Sequence, residues 1–355
     1  MSNRLFVKGN EAVCMGAIAA GCRHYFGYPI TPQNEIPEFM SRELPGAGGV
    51  FLQAESEVAA INMVLGASAA GARVMTSSSG PGISLKAEGI SFMAGSELPA
   101  VIVNMMRGGP GLGGIDASQA DYFQAVKGCG HGGYRLIVLA PYSVQELYDL
   151  AMTAFDLADR YLLPVMILGD AMIGQMKESL IPRSYDPPTD LPEKSWAVTG
   201  KQGRAQGNTV KSLYLADGAL EAHNWKLHGR YQQIQQQQVR CETLGLEDAE
   251  LLITAFGSAA RIAKTAVEMA RQSGLKVGMI RPITLFPFPE KIYRQATERC
   301  RRILCVELNN GQMVEDVRLS VDRQAEVRFY GRPGGTGSMP TPEELFKQLQ
   351  KHYKD

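Results

Sequence analysis

From residue 1 to about 185, short apolar runs alternate with amphipathic stretches, the pattern of a parallel sheet flanked by helices. His24 to Tyr28, Arg73 to Ser77, Ala100 to Met105, Leu136 to Ala140 and Val165 to Leu168 read as strands. Val13, Met15, Ile18 and Ala19 share a helix that Asn10 can cap and that ends near Gly21. Ser56 can cap a second helix, with Val58, Ile61 and Leu65 on one face and Gly71 at its close. Pro81 to Phe92 and Val144 to Arg160 complete the helices of one doubly wound domain, residues 1–185.

The pattern changes at Pro182. Residues 186–249 hold Pro187-Pro188, several glycines and a glutamine-rich stretch from Gln232 to Gln238, and read as a connection with one solvated helix. Periodicity resumes with a buried strand at Glu250 to Phe256, a helix from Ala259 to Ser273, and strands at Val277 to Ile280 and Ile303 to Glu307. Residues 250–355 therefore form a second, smaller α/β domain, with Gly334, Gly335 and Gly337 in a loop before a terminal helix.

Composition then narrows the classes. The 36 Lys and Arg balance 36 Asp and Glu, so no general attraction draws the chain to nucleic acid or an anionic membrane. The longest apolar run, Leu162 to Leu168, is far short of the roughly 20 residues that span a bilayer. The N-terminal residues show no apolar secretory core, so a soluble, cytoplasmic protein is expected. The six cysteines, Cys14, Cys22, Cys129, Cys241, Cys300 and Cys305, include no C-x-x-C pair. They fit neither a zinc site nor an iron–sulfur loop, and no metal ligand set is expected. Any redox carrier must belong to another chain.

Four constellations can carry chemistry. In Gly27-Tyr28-Pro29-Ile30-Thr31-Pro32, two prolines stiffen the loop after a strand, where open α/β sheets bind ligands. Thr31 can donate to a substrate carboxylate, or merely cap the next segment. Glu55-Ser56-Glu57 places acids at a helix start, where they can satisfy the dipole or reach a ligand nitrogen. Ser77-Ser-Ser79-Gly80-Pro-Gly82 is a glycine loop whose amides can receive a polar cofactor group. Arg107, followed by Gly108 to Gly114, is a candidate anion clamp. Gly109-x-Gly111-x-x-Gly114 formally matches a dinucleotide fingerprint, but Pro110 interrupts it and Asp116 and Ser118 look like the cap of the following helix.

Taken in order, Tyr28-Pro-Ile-Thr31-Pro32, Glu55-Ser-Glu57, Ser79-Gly-Pro-Gly82 and Arg107-Gly-Gly-Pro110 resemble the alpha subunit of 2-oxoacid:ferredoxin oxidoreductases. Ile280-Arg281-Pro-Ile-Thr-Leu-Phe-Pro287 and Val306-Glu-Leu-Asn-Asn-Gly311-Gln-Met look like that family's transketolase-C-like domain. The resemblance implies a pyrimidine-binding thiamine diphosphate domain at 1–185. It implies that Thr31 and Arg107 bind the 2-oxoacid carboxylate. A glutamate, Glu57 with Glu55 in reserve, would hydrogen-bond the aminopyrimidine and favour the imino tautomer that deprotonates the thiazolium. Pro29, Ile30, Ser79 and Gly80 would line the cofactor.

The resemblance also implies coenzyme A as co-substrate and partner chains that complete the site. Gly169-Asp170-Ala171 lacks the second glycine of the diphosphate motif, and Asn309-Asn310 is too distant to serve it. A beta subunit would carry the diphosphate and Mg2+, while gamma and ferredoxin-like delta subunits would bring 4Fe-4S clusters and pass electrons to ferredoxin. The variant loop Pro110-Gly-Leu-Gly-Gly-Ile-Asp116 resembles subunits assigned to branched-chain acids such as 3-methyl-2-oxobutanoate (ketoisovalerate), with 2-oxoglutarate or pyruvate as alternatives. A transketolase-type transferase and a non-enzymatic nucleotide-binding assembly module are the competing readings.

Overall fold

The computed structural model describes residues 4–335, 337 and 339–354. The chain opens with β1 (Leu5–Lys8) and α1 (Gly9–Ala19). It then alternates β2 (His24–Gly27), α2 (Glu35–Glu43), β3 (Val50–Gln53), α3 (Glu57–Ala69), β4 (Val74–Ser78), α4 (Gly80–Gly95) and β5 (Ala100–Met106). A short α5 (Tyr122–Val126) precedes β6 (Ile137–Leu139), α6 (Val144–Tyr161), β7 (Pro164–Asp170), α7 (Ala171–Gln175) and β8 (Lys177–Leu180). After a long connection come α8 (Ala219–Gln237), β9 (Cys241–Leu244), β10 (Leu251–Thr254), α9 (Gly257–Gln272), β11 (Val277–Pro282) and β12 (Thr284–Phe286). The chain continues through α10 (Glu290–Thr297), β13 (Arg302–Glu307), α11 (Met313–Ser320), β14 (Glu326–Gly331) and α12 (Pro342–Lys354).

Seven strands form the first sheet, in the order β3-β2-β4-β5-β7-β6-β12. The six strands from the first half are parallel. Their central members are buried along their whole length, as a sheet covered on both faces requires. Val13, Leu147 and Phe155, from α1 and α6, fill one side. Ile61, Ile83 and Ile90, from α3 and α4, fill the other. Each such side chain contributes about 1.5–3 kcal/mol on burial. The chain leaves β2 towards the sheet edge at β3 and returns across it to β4, so a crevice opens at the carboxyl ends of β2 and β4.

The second sheet runs β9-β11-β10-β13-β14. Two features depart from expectation. Cys241–Leu244 belongs to this sheet, pairing antiparallel with β11, so the connection does not extend to residue 249. Thr284–Phe286, expected in the second domain, instead crosses to the first sheet and pairs antiparallel with β6. The first sheet is therefore mixed at that edge.

Polar clasps lock the two halves. Arg281, 2% exposed, makes a two-pronged ion pair with Glu146 at 2.7 and 2.9 Å, bonds Glu242, and lies 3.9 Å from the Tyr142 ring. Gln119 gives its backbone N–H to the Leu308 carbonyl and its side-chain N–H to the Phe256 carbonyl, while its Oε1 accepts from Leu308 N–H. Asn309 donates back to the Gln119 carbonyl at 2.8 Å. The Asn309-Asn310 pair thus lies at the joint between the halves, in keeping with its distance from any diphosphate motif.

Candidate functional site

Each candidate side chain stands at the carboxyl end of a first-sheet strand or on the segment that follows it. The loop 28–35 leaves β2 and is held from three sides. The Pro32 carbonyl accepts from Asn10 Nδ2 at 2.9 Å and Gln175 Nε2 at 2.8 Å. Asn10 is therefore no helix cap: it lies in the first turn of α1, fully buried, and Lys8 takes the cap position. Glu35 accepts from the same two amides and from Lys8 Nζ. Burial alone would raise its carboxyl, but Lys8, Asn10 and Gln175 hold it below the usual carboxylate range. From beneath, Tyr25 and Gln33 both bond the Ser77 hydroxyl of β4.

Arg107 follows β5 and is 7% exposed. One terminal nitrogen donates to the Thr31 carbonyl at 3.0 Å and the other to the Leu112 carbonyl at 3.2 Å. The guanidinium therefore bridges the crevice, tying the loop after β2 to the glycine loop after β5. Its Nε–H is buried without a partner. The Thr31 hydroxyl accepts a 3.4 Å bond from Asn34 and stays partly accessible.

The two glutamates separate cleanly. Ser56 caps α3 by accepting from Ala59 N–H, which leaves Glu57 as the first helical residue. Glu57 is 6% exposed, whereas Glu55 is exposed. Among the described residues, none donates a hydrogen bond to the Glu57 carboxylate. It rests against α4, where Gly82 makes room for it. A Cβ on Gly82 would lie 2.6 Å from Glu57 Oε1 and 2.0 Å from Ser78 Oγ. Gly82→Ala is accordingly expected to displace the carboxylate and lower turnover at least tenfold, while a folded complex still elutes at wild-type size. Unchanged turnover would show that the position of Glu57 is immaterial.

Ser78 and Ser79, fully buried at the start of α4, have hydroxyl oxygens with no partner. Gly80, also buried, faces Asp121, whose Oδ2 a Cβ would approach to 3.2 Å. Burial pushes the Asp121 carboxyl up, against bonding from Asn104 and the field of Arg107. The side-chain Oδ1 of Asn104 is likewise unpaired. Buried polar atoms without partners are rare in native proteins and here converge on one crevice, which suits a polar ring of a bound cofactor. The residues present therefore fit the pyrimidine half of thiamine diphosphate. Pro29 is exposed and Ile30 half-buried along the rim.

Two expected features fall differently. Asp116 and Ser118 do not cap the next helix, which starts at Tyr122 after Asp121. Ser118 instead donates to the Leu308 carbonyl across the domain joint. The glycine loop closes on itself, with Gly114 N–H on the Gly108 carbonyl and no helix directly after it, so it is not a dinucleotide fingerprint. Asp170 caps α7 through Met172 and Ile173 N–H and accepts from Ser258 at 2.6 Å. Burial raises its carboxyl, and those donors pull it back. Asn10, Gln33, Asn104, Asp121 and Gln175 were not legible as site residues, because their roles depend on distant chain segments meeting.

Comparison with known proteins gives first a class. Residues 15–243 match the family described as "Pyruvate flavodoxin/ferredoxin oxidoreductase, thiamine diP-bdg", and residues 249–345 match "Pyruvate:ferredoxin oxidoreductase core domain II". The chain belongs to the thiamine-diphosphate-dependent 2-oxoacid:ferredoxin oxidoreductase family, whose enzymes act as assemblies of subunits. More narrowly, it is 53% identical to the ketoisovalerate oxidoreductase subunit VorB of Methanothermobacter marburgensis, over 93% of each chain. It is 38% identical to the 2-oxoglutarate synthase subunit KorA of Methanothermobacter thermautotrophicus, over 99% of each. The 2-oxoglutarate:ferredoxin oxidoreductase of Magnetococcus marinus, solved with 2-oxoglutarate, coenzyme A and succinyl-CoA, superimposes with a TM-score of 0.87 at 27% identity. That match covers 99% of this chain and 66% of the other. Among the described residues, no helix is long and apolar enough to cross a membrane.

Proposed function

We propose that this chain supplies the aminopyrimidine and 2-oxoacid half of the active site in an oxidoreductase that converts 3-methyl-2-oxobutanoate and coenzyme A to the branched acyl-CoA and carbon dioxide. The electrons pass to ferredoxin. The observation that carries the reading is the meeting of Arg107, the Thr31 loop and the buried Glu57 around unpaired polar atoms in one crevice. When bound, thiamine diphosphate supplies the nucleophilic carbon and electron sink that decarboxylation requires.

The chain's own groups divide the remaining work. Glu57 would accept or donate the proton at the aminopyrimidine nitrogen N1′, with Glu55 too exposed to do so from a dry site. Ser79 and Gly80 would line the ring edge, and Pro29 and Ile30 would close the rim. Arg107 and the Thr31 hydroxyl orient the 2-oxoacid carboxylate. Beyond the arginine, Gly108 to Ile115 carries no cation, so nothing on this loop would pair a second carboxylate. That favours an aliphatic tail, in line with the higher identity to the ketoisovalerate subunits. A beta subunit would bring the diphosphate and Mg2+ half-site, and gamma and ferredoxin-like delta subunits the 4Fe-4S path to ferredoxin.

Viologen reduction by the natively purified complex with coenzyme A tests the assignment. Turnover per KM is expected to rank 3-methyl-2-oxobutanoate above pyruvate and 2-oxoglutarate by at least tenfold. A preference for 2-oxoglutarate would overturn the aliphatic pocket and keep the chemistry. No turnover on any 2-oxoacid, with cofactor and clusters in place, would overturn both.

A further inference from the structure

Lys86 is the one lysine of the chain with no exposed surface among the described residues. It lies on α4, whose buried positions Gly82, Ile83, Lys86, Gly89, Ile90 and Met93 follow helical spacing along a single face. That face packs on α3. Gly82 meets Glu57, and Gly89 meets Ile61, where an added Cβ would fall 2.6 Å from the Ile61 side chain. Glu57 and Ile61 are one turn apart on α3, as Lys86 is one turn from Gly82 on α4. The ammonium is thus carried in the stretch of interface that begins at the Glu57 carboxylate.

Its contacts are neutral. Nζ donates to Thr76 Oγ1 at 2.7 Å and to the Ser77 carbonyl at 3.0 Å, both on β4. Among the described residues no acidic group forms an ion pair with it within 4 Å, and Glu57 is the charged side chain whose field reaches it. Tyr25 of β2 bonds the Ser77 hydroxyl, whose side chain leaves β4 on the face opposite to that of Thr76. A buried, unpaired ammonium costs stability, because its hydration is only partly replaced by two neutral acceptors. An apolar side chain would pack the same interface at lower cost, so the charge serves something other than the fold.

We infer that Lys86 is a positioning residue for Glu57, a buried counter-charge that fixes the carboxylate at the cofactor-facing end of the α3–α4 interface. The inference rests on the proposed role of Glu57 and on this geometry. Burial draws the ammonium down from 10.5 to about 7, opposed by Glu57. The counter-charge is therefore present below about 7 and lost as pH rises through it. The same shift has the opposite effect on stability. Between about 7 and 10.5 the unfolded chain holds the proton that the folded chain has given up, so stability rises with pH across that window.

The test uses the assembled complex, depleted of cofactor, with thiamine diphosphate as the probe. Wild-type affinity, measured by calorimetry, is expected to weaken as pH passes upward through 7, and Lys86→Met to lie about tenfold weaker at pH 6.5 with that fall reduced. The KM for 2-oxoacid stays within twofold, and the melting temperature of Lys86→Met at pH 7 rises. In a Glu57→Gln background, Lys86→Met is expected to change affinity less than twofold, because the counter-charge has lost its partner. The inference is overturned if Lys86→Met lowers melting temperature and affinity together and equally in both backgrounds, or leaves the pH dependence of binding as in wild type. Absence of 2-oxoacid turnover, with this binding pattern intact, would sink the substrate assignment and support the role of Lys86.

Discussion

Glu57→Gln in the assembled complex is expected to lower 2-oxoacid-dependent viologen reduction by about 10²–10⁴-fold, the usual worth of a positioned proton-transfer group. The substitution is chosen because it is nearly isosteric. Glu57 packs against a glycine that leaves no room for a larger group, and a smaller one would open a cavity beside Ser78. Glutamine keeps the volume and the helix start while removing the capacity to exchange a proton with a ring nitrogen. The 2-oxoacid KM should stay within twofold, since Arg107 and Thr31 lie on other loops. Glu55→Gln provides the contrast: exposed and outside the helix, it should leave turnover within twofold. The reverse ranking of the two variants would transfer the role to Glu55 and undo the burial argument.

That contrast also marks how far the sequence could be read. Two acids flanking a serine are legible as a helix start, and Ser56 does cap α3. Which acid turns inward depends on Gly82 of a later helix, and no local pattern reveals that. Lys86 was hidden more thoroughly. In Ser-Leu-Lys-Ala-Glu, a lysine beside a glutamate reads as a solvated face. Its burial emerges only when Gly82, Gly89 and Met93 are counted as apolar positions of the same helical stripe. The stiff loop after β2 was visible from its prolines, but Asn10 and Gln175, which both hold the Pro32 carbonyl, come from segments 22 and 143 residues away.

Tertiary contacts override local propensity elsewhere too. Asp116 and Ser118 have the chemistry of helix caps, and propensity alone would place them there. Tertiary contact with the second domain claims Ser118 instead, and α5 starts only at Tyr122. Thr284–Phe286 is a three-residue strand, too short to declare its sheet by periodicity, and the first sheet's open edge beside β6 decides where it pairs. Local pattern recovered the strands that are buried along their length. It failed where an element's partner is chosen by a distant edge or joint.

Arg107→Met is expected to reduce kcat/KM by about 10²–10³-fold, and by the same factor for every 2-oxoacid tested, since all present the same carboxylate. A hydrogen-bonded charge contact of this kind is worth roughly 1.5–3 kcal/mol, and loss of the loop bridge adds to it. The guanidinium has five N–H donors. The Thr31 and Leu112 carbonyls engage its two terminal nitrogens, while its buried Nε–H has no partner. Arg107 can therefore hold both loops and still address an anion in the crevice, which a lysine with one nitrogen cannot do from the same place. Arg107→Lys should recover part of kcat/KM through charge but leave kcat low, because the Thr31 loop is no longer tied. The split separates binding from placement: a pure electrostatic role predicts full recovery in the lysine variant, and a pure structural role predicts none. If Arg107→Met changes KM for 2-oxoacids less than twofold at full turnover, the carboxylate is bound elsewhere. Equal losses across substrates, beside a tail preference that persists in the variant, would assign the common carboxylate to Arg107 and the choice among acids to the apolar loop beyond it.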